Sequence, residues 1–144
     1  MLWSEADIAL NDVLLALGEA ADLYQDEAEL AERADSVALF QELAERRRRL
    51  HQALAEQIRR RGELPPGLDT DRETLMKLGK RLRAALSADE EMLLRADRRQ
   101  SEDRIAELLQ TALANVDDPE ARALLEQIKL DVNKARQQLG EPEP

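Results

Sequence analysis

With 144 residues the chain has the length of one domain, long enough to bury a core without disulfides or metal. Aromatic residues make up only 2% and cysteine is absent, which disfavours a β-rich core and excludes thiol catalysis, a disulfide scaffold and a thiolate metal site. Acidic residues outnumber basic ones 31 to 21, and the resulting net charge of −10 sets the chain against nucleic acid and anionic lipid surfaces as partners.

Ser4 followed by Asp7 forms a capping-box pattern and opens a helix expected to run from about Glu5 to Arg33. Its apolar line is Leu10, Leu14, Leu17, Ala21, Tyr24, Ala28 and Ala31, the alternation of three and four steps that a helix shows when it lies lengthwise on neighbours. Asp35 or Ser36 is expected to cap a second helix that turns Val37, Phe40, Leu43, Leu50, Leu54 and Ile58 inward and stops at Gly62. The stretch 62–70 holds Pro65, Pro66 and Gly67 and cannot continue a helix, so it reads as the long crossing between two halves. Thr70 with Glu73 then opens a short extra helix through Leu86, with Leu75, Leu78, Leu82 and Leu86 on its inner side.

Ser87 with Glu90 begins a long helix to about Asn115, whose expected inner line is Met92, Ala96, Arg99, Ala106, Leu109, Leu113 and Val116. Asp117 or Asp118 caps the last helix, Pro119 takes its first position, and Leu124, Leu125, Ile128, Val132, Ala135 and Leu139 face inward before Gly140 ends it. The expected organisation is one all-α domain over 1–140, an antiparallel four-helix bundle with an extra short helix after the proline-rich crossing, followed by a frayed tail over 141–144. No run approaches the roughly 20 apolar residues of a membrane span, and the start lacks the features of a secretory signal, so a cytoplasmic location is expected.

Leu10-Asn11-Asp12 on the first helix and Ala38-Leu39-Phe40-Gln41-Glu42-Leu43-Ala44 on the second resemble bacterial ferritin-like four-helix domains of unknown function, a family that includes stress-associated proteins. Tyr24, Arg47 and Ser101-Glu102-Asp103 fall where that family has an aromatic, an arginine and a Gly-Glu-Asp stretch. The resemblance spans roughly residues 10–139 and implies a ferritin-like fold without a settled reaction. The family's last helix commonly carries a histidine, and none stands between Pro119 and Leu139 here.

A two-metal bundle takes Glu-x-x-His from two helices, because that spacing sets both ligands on one face. The single histidine, His51, has Arg48 three residues before it, so that constellation is absent. Asp22, Glu42, Glu45 and Glu102 could still form an all-carboxylate site for iron or manganese, hard cations that suit oxygen ligands. The simpler alternative pairs these acids with Arg47 and Arg99, since buried charges find partners. Arg46-Arg47-Arg48-Arg49 forms no basic face, because consecutive helical residues point about 100° apart. His51 has no recognisable nucleophile motif beside it, Trp3 with Leu2 reads as a cover for one end, and the five glycines make no phosphate loop.

The expected function is therefore non-enzymatic, with no cofactor: association with a second copy or with another helical protein, in a stress-related role on the strength of the resemblance. The competing expectation is a ferritin-like iron or manganese oxidase or storage protein.

Overall fold

A computed structural model describes residues 4–62 and 88–140, without the side chains of 88–92. The expected proline-rich crossing, the short helix 70–86, Leu2, Trp3 and the tail 141–144 lie outside the described residues. The described chain forms four helices and no strand: α1 (Glu5–Leu30), α2 (Ala34–Arg60), α3 (Ala88–Asn115) and α4 (Pro119–Gly140).

Local chemistry accounts for most helix ends. The Ser4 hydroxyl accepts from the Asp7 amide at 3.1 Å, and the Asp7 carboxylate accepts from the Ser4 amide at 3.3 Å, a complete capping box. α1 stops at Leu30 rather than Arg33, because Ala31 already has extended backbone. α2 is entered through Arg33 without a side-chain cap, which corrects the expectation of Asp35 or Ser36 there. Asp35 instead sits in the first turn, where it accepts from the Ser36 amide at 3.0 Å and where its charge suits the positive helix end. Gly62 leaves α2 at φ +87°, a left-handed conformation that costs glycine little. At α4 the Asp118 carboxylate accepts from the Ala121 amide at 3.1 Å, with Pro119 as the first helical residue.

α1 lies on α2 and α3, and α4 lies on α3 and α2, so the four helices enclose one continuous core. Leu10, Leu14 and Leu17 meet Leu43, Leu54, Ile58, Leu109, Leu125 and Ile128 within it. Tyr24 and Phe40 stack with ring centroids 6.2 Å apart. Polar contacts set the levels at which helices meet. Arg61 reaches Asp7 at 3.0 Å, Arg60 reaches Glu120 at 3.6 Å, and Gln138 reaches Glu42 at 3.5 Å.

The inner line of α3 differs from the expected one. It runs Leu94, Glu102, Ile105, Leu109, Ala112 and Val116, while Ala96, Ala106 and Leu113 are half-buried and Arg99 is exposed. The reason is physical: this seam passes through Arg98 and Glu102, so apolar spacing does not mark it over its first half. No described helix is long and apolar enough to cross a membrane.

Candidate functional site

The inward faces that carry leucine elsewhere carry charge at mid-bundle. On α2 the seam passes from Leu43 and Ala44 through Arg47 to Leu54, and Arg47 is 0% exposed. On α3 it passes through Glu102, also 0% exposed. The Arg47 guanidinium grips Glu102 with both terminal nitrogens: Nη1 donates to Oε2 at 2.8 Å and Nη2 donates to Oε1. Its Nε donates to Asp131 Oδ2 of α4 at 3.0 Å. Arg46, the next residue, donates to the other Asp131 oxygen at 2.6 Å and to Gln138 Oε1 at 2.7 Å. Planar guanidinium donors match carboxylates two at a time, so this array has little freedom of geometry.

Two further groups complete the layer. The Tyr24 hydroxyl, on α1, comes close enough to Glu102 to influence its ionisation, without a hydrogen bond of regular geometry. On α1 and α3, Glu27 is 2% exposed and lies 3.1 Å from Arg98 Nε. One turn along α3, Arg95 donates to the buried Ser36 hydroxyl at 2.6 Å.

Burial pulls the Arg47 guanidinium toward its neutral form, but Glu102, Tyr24 and Asp131 more than offset this and leave its pKa above the ordinary value. Burial pushes the Glu102 carboxyl above the usual range, with Arg47 opposing. The two shifts pull in different senses for one pair. The two-oxygen grip is that of an ionised pair, and that is the state we assign near neutral pH. Burial also raises the Tyr24 phenol, and the Glu102 charge adds to that.

Of the residues expected to form a site, the structure brings together only Glu102 and Arg47. Asp22 lies exposed on α1, where its charge acts on His51. Glu42 is exposed and 3.6 Å from Arg46, and Glu45 is exposed and held by Arg48 at 3.4 Å and Arg49 at 3.2 Å. Arg99 pairs with none of these acids. It donates to the Gly140 carbonyl at 3.3 Å, where the end of α4 presents unpaired carbonyls. The arginine run splits as its helical directions require, Arg46 and Arg47 turning into the layer and Arg48 and Arg49 outward. His51 is half-buried and lies against Gly18.

This donor set does not fit a two-metal carboxylate centre. Both Glu102 oxygens are taken by Arg47, and the charges of Arg46 and Arg47 balance those of Glu102 and Asp131, leaving no net negative charge to draw a cation. Among the described residues, no group of three or more acidic or histidine side chains is arranged to hold a metal ion.

Between α1 and α3 a groove of about 440 Å³ opens outward from this layer. Tyr24, Glu102 and Arg98 line it together with Leu15, Ala16 and Leu108. Comparison with protein-family models, with characterised proteins and with solved structures finds no significant match to this chain.

Asp131, Glu27 and Arg98 were not anticipated. The sequence did hold a signal for each: Asp131 is seven residues after Leu124, Glu27 seven after Ala20, and Arg98 seven before Ile105, all buried apolar positions. A charge in heptad register with a core residue marks an internal ion pair or a site.

Proposed function

We propose that this chain is an antiparallel, ferritin-like four-helix bundle that acts through association, with a second copy or another helical protein, and not through catalysis. The topology has support from the contact levels. Arg61 of α2 meets Asp7 of α1, Arg60 meets Glu120 of α4 while Glu42 meets Gln138, and Ser36 of α2 meets Arg95 of α3 as Arg47 meets Glu102. These pairs fit an order in which the first two helices run oppositely and α3 runs parallel to α2, as in ferritin-like bundles. A stress-related role rests on the family resemblance alone.

The observation that carries the non-catalytic reading is the Arg47–Glu102 grip. It fills with a neutral salt bridge the interior position where a carboxylate bundle would hold ions. The alternative of an iron or manganese oxidase or store requires Glu102 to release Arg47. Elemental analysis of protein purified without chelator, with an iron-oxidation assay, separates the two. We expect far less than one metal per chain and a flat trace, and near-stoichiometric iron or manganese overturns the proposal. Light scattering and affinity capture test the association itself, and a strict monomer that retains no partner counts against it.

A further inference from the structure

We infer that the α1/α3 groove is a self-complementary surface on which a second copy of this chain docks about a two-fold axis; the inference deepens the association reading and rests on it. The groove is walled by Leu15, 45% exposed, and by the half-buried Ala16, Leu23 and Leu108. Its rim carries Asp12 on the α1 side and Arg104 on the α3 side, both exposed, and among the described residues neither makes an ion pair or side-chain hydrogen bond. Among the described residues, most other exposed arginines hold a carboxylate, including Arg33, Arg48, Arg49, Arg59 and Arg60. An acid and a base standing apart on one face of mixed character, which Glu19, Arg98 and Ser101 also line, suit a surface that carries the complementary charges in mirrored places.

The spacing agrees with a two-fold arrangement. Glu27 meets Arg98 and Tyr24 comes close to Glu102, so numbering rises along α3 as it falls along α1. Arg104, six residues beyond Arg98, is therefore level with Ala21. Asp12 and Ala21 are equally far from the step between Ala16 and Leu17, about 7 Å along the helix at 1.5 Å per residue. An axis through that step sets Asp12 of each copy over Arg104 of the other and brings Leu15, Ala16 and Leu108 of both copies together at the centre. The small Ala16 side chain allows close approach there. In a two-fold interface each pair occurs twice, so the contact forms two ion pairs around an apolar centre. Two chains of net charge −10 repel at a distance, so the rim charges set the register of docking while the apolar centre holds it.

Sedimentation velocity on the full chain tests this, in about 0.15 M salt, where the screening length is about 8 Å. A loading range of roughly 1 to 200 µM covers both states of a dimer of micromolar affinity. We expect the wild type to dimerise. Asp12→Arg and Arg104→Asp should each raise the dissociation constant about tenfold or more, because each substitution creates two like-charge contacts. The combined Asp12→Arg/Arg104→Asp chain should regain wild-type affinity to within about threefold, since the pairs are then reversed. Circular dichroism checks the fold of each variant, and both sites are exposed. A dimer insensitive to either single reversal overturns this face while leaving self-association standing. Single reversals that weaken the dimer without rescue by the combination overturn the two-fold pairing. A wild type that stays monomeric throughout overturns the inference, and affinity capture then decides whether association with another protein survives.

Discussion

Arg47 and Glu102 show what a buried ion pair demands of its neighbours. Removing both charges from water costs several kcal/mol per ion, and only close, multiply bonded geometry recovers it. Here Arg47 spends three donors on two carboxylates, and Arg46 shares the second of them. Glu102→Ala is therefore expected to cost about 3–5 kcal/mol in urea denaturation, because it strands a guanidinium in the core. Arg47→Met combined with Glu102→Leu should recover most of that loss, since apolar side chains of similar volume need no partners. A Glu102→Ala loss below about 1 kcal/mol would show that the pair is not held dry. His51 gives a second test. Burial holds its pKa below the ordinary 6.5, with the Asp22 charge opposing. A folded value below the unfolded one means that the unfolded chain binds the proton better, so this stability is present above the unfolded pKa and is lost as pH falls through the folded one. Glu102, raised by burial, runs the other way: its contribution is full below the unfolded value and lost as pH rises through the folded one. Comparing melting temperatures of wild type and His51→Gln from pH 7 downward isolates the histidine. The wild type should lose ground to the variant as pH drops below about 6.5, and parallel curves would refute the assignment.

At the scale of elements, the helices follow from three-and-four spacing and from caps that local chemistry can supply, as at Ser4 and Asp118. The helix α3 follows too, with Leu109 and Val116 buried as expected, but the first half of its inner line does not, because that seam carries Arg98 and Glu102 in place of apolar residues. Arg122 of α4 shows how one element finishes another: its Nη1 donates to the carbonyls of Leu113 and Val116, acceptors that the end of α3 leaves unsatisfied. Gly18 offers a test of packing between elements. In mid-helix, alanine is favoured over glycine by about 1 kcal/mol, but a Cβ there would stand 3.1 Å from both Cδ2 and Nε2 of His51. Gly18→Ala alone should change stability little, since the ring must give way. In a His51→Ala background the same substitution should stabilise by about 1 kcal/mol. Equal effects in the two backgrounds would exclude the coupling.

For the whole molecule, a mostly apolar interior, with Asn11 and Ser36 as buried polar side chains away from mid-height, carries one layer of paired charges. That arrangement predicts indifference to divalent cations. Millimolar Mn²⁺, or Fe²⁺ under anaerobic conditions, should leave the melting temperature within about 1 °C, because a ligand that binds the folded state raises stability by mass action and this layer offers no free carboxylate pair. A rise of several degrees that Arg47→Met enhances would point instead to a metal site held shut by arginine.

Helix identity, most helix ends and the buried lines of α1, α2 and α4, apart from the half-buried Ala31, Val37 and Leu50, were settled by the chain alone, because they depend on spacing and on contacts within a few residues. The inward position of Arg47 was legible for the same reason. What it grips was not. Glu102 lies 55 residues away and Asp131 lies 84 away, so the choice between acids on α1, α2, α3 and α4 depended on which helices stand side by side and at what level. Only tertiary structure decides that, because the periodicity of one helix says which side is buried but not which neighbour covers it.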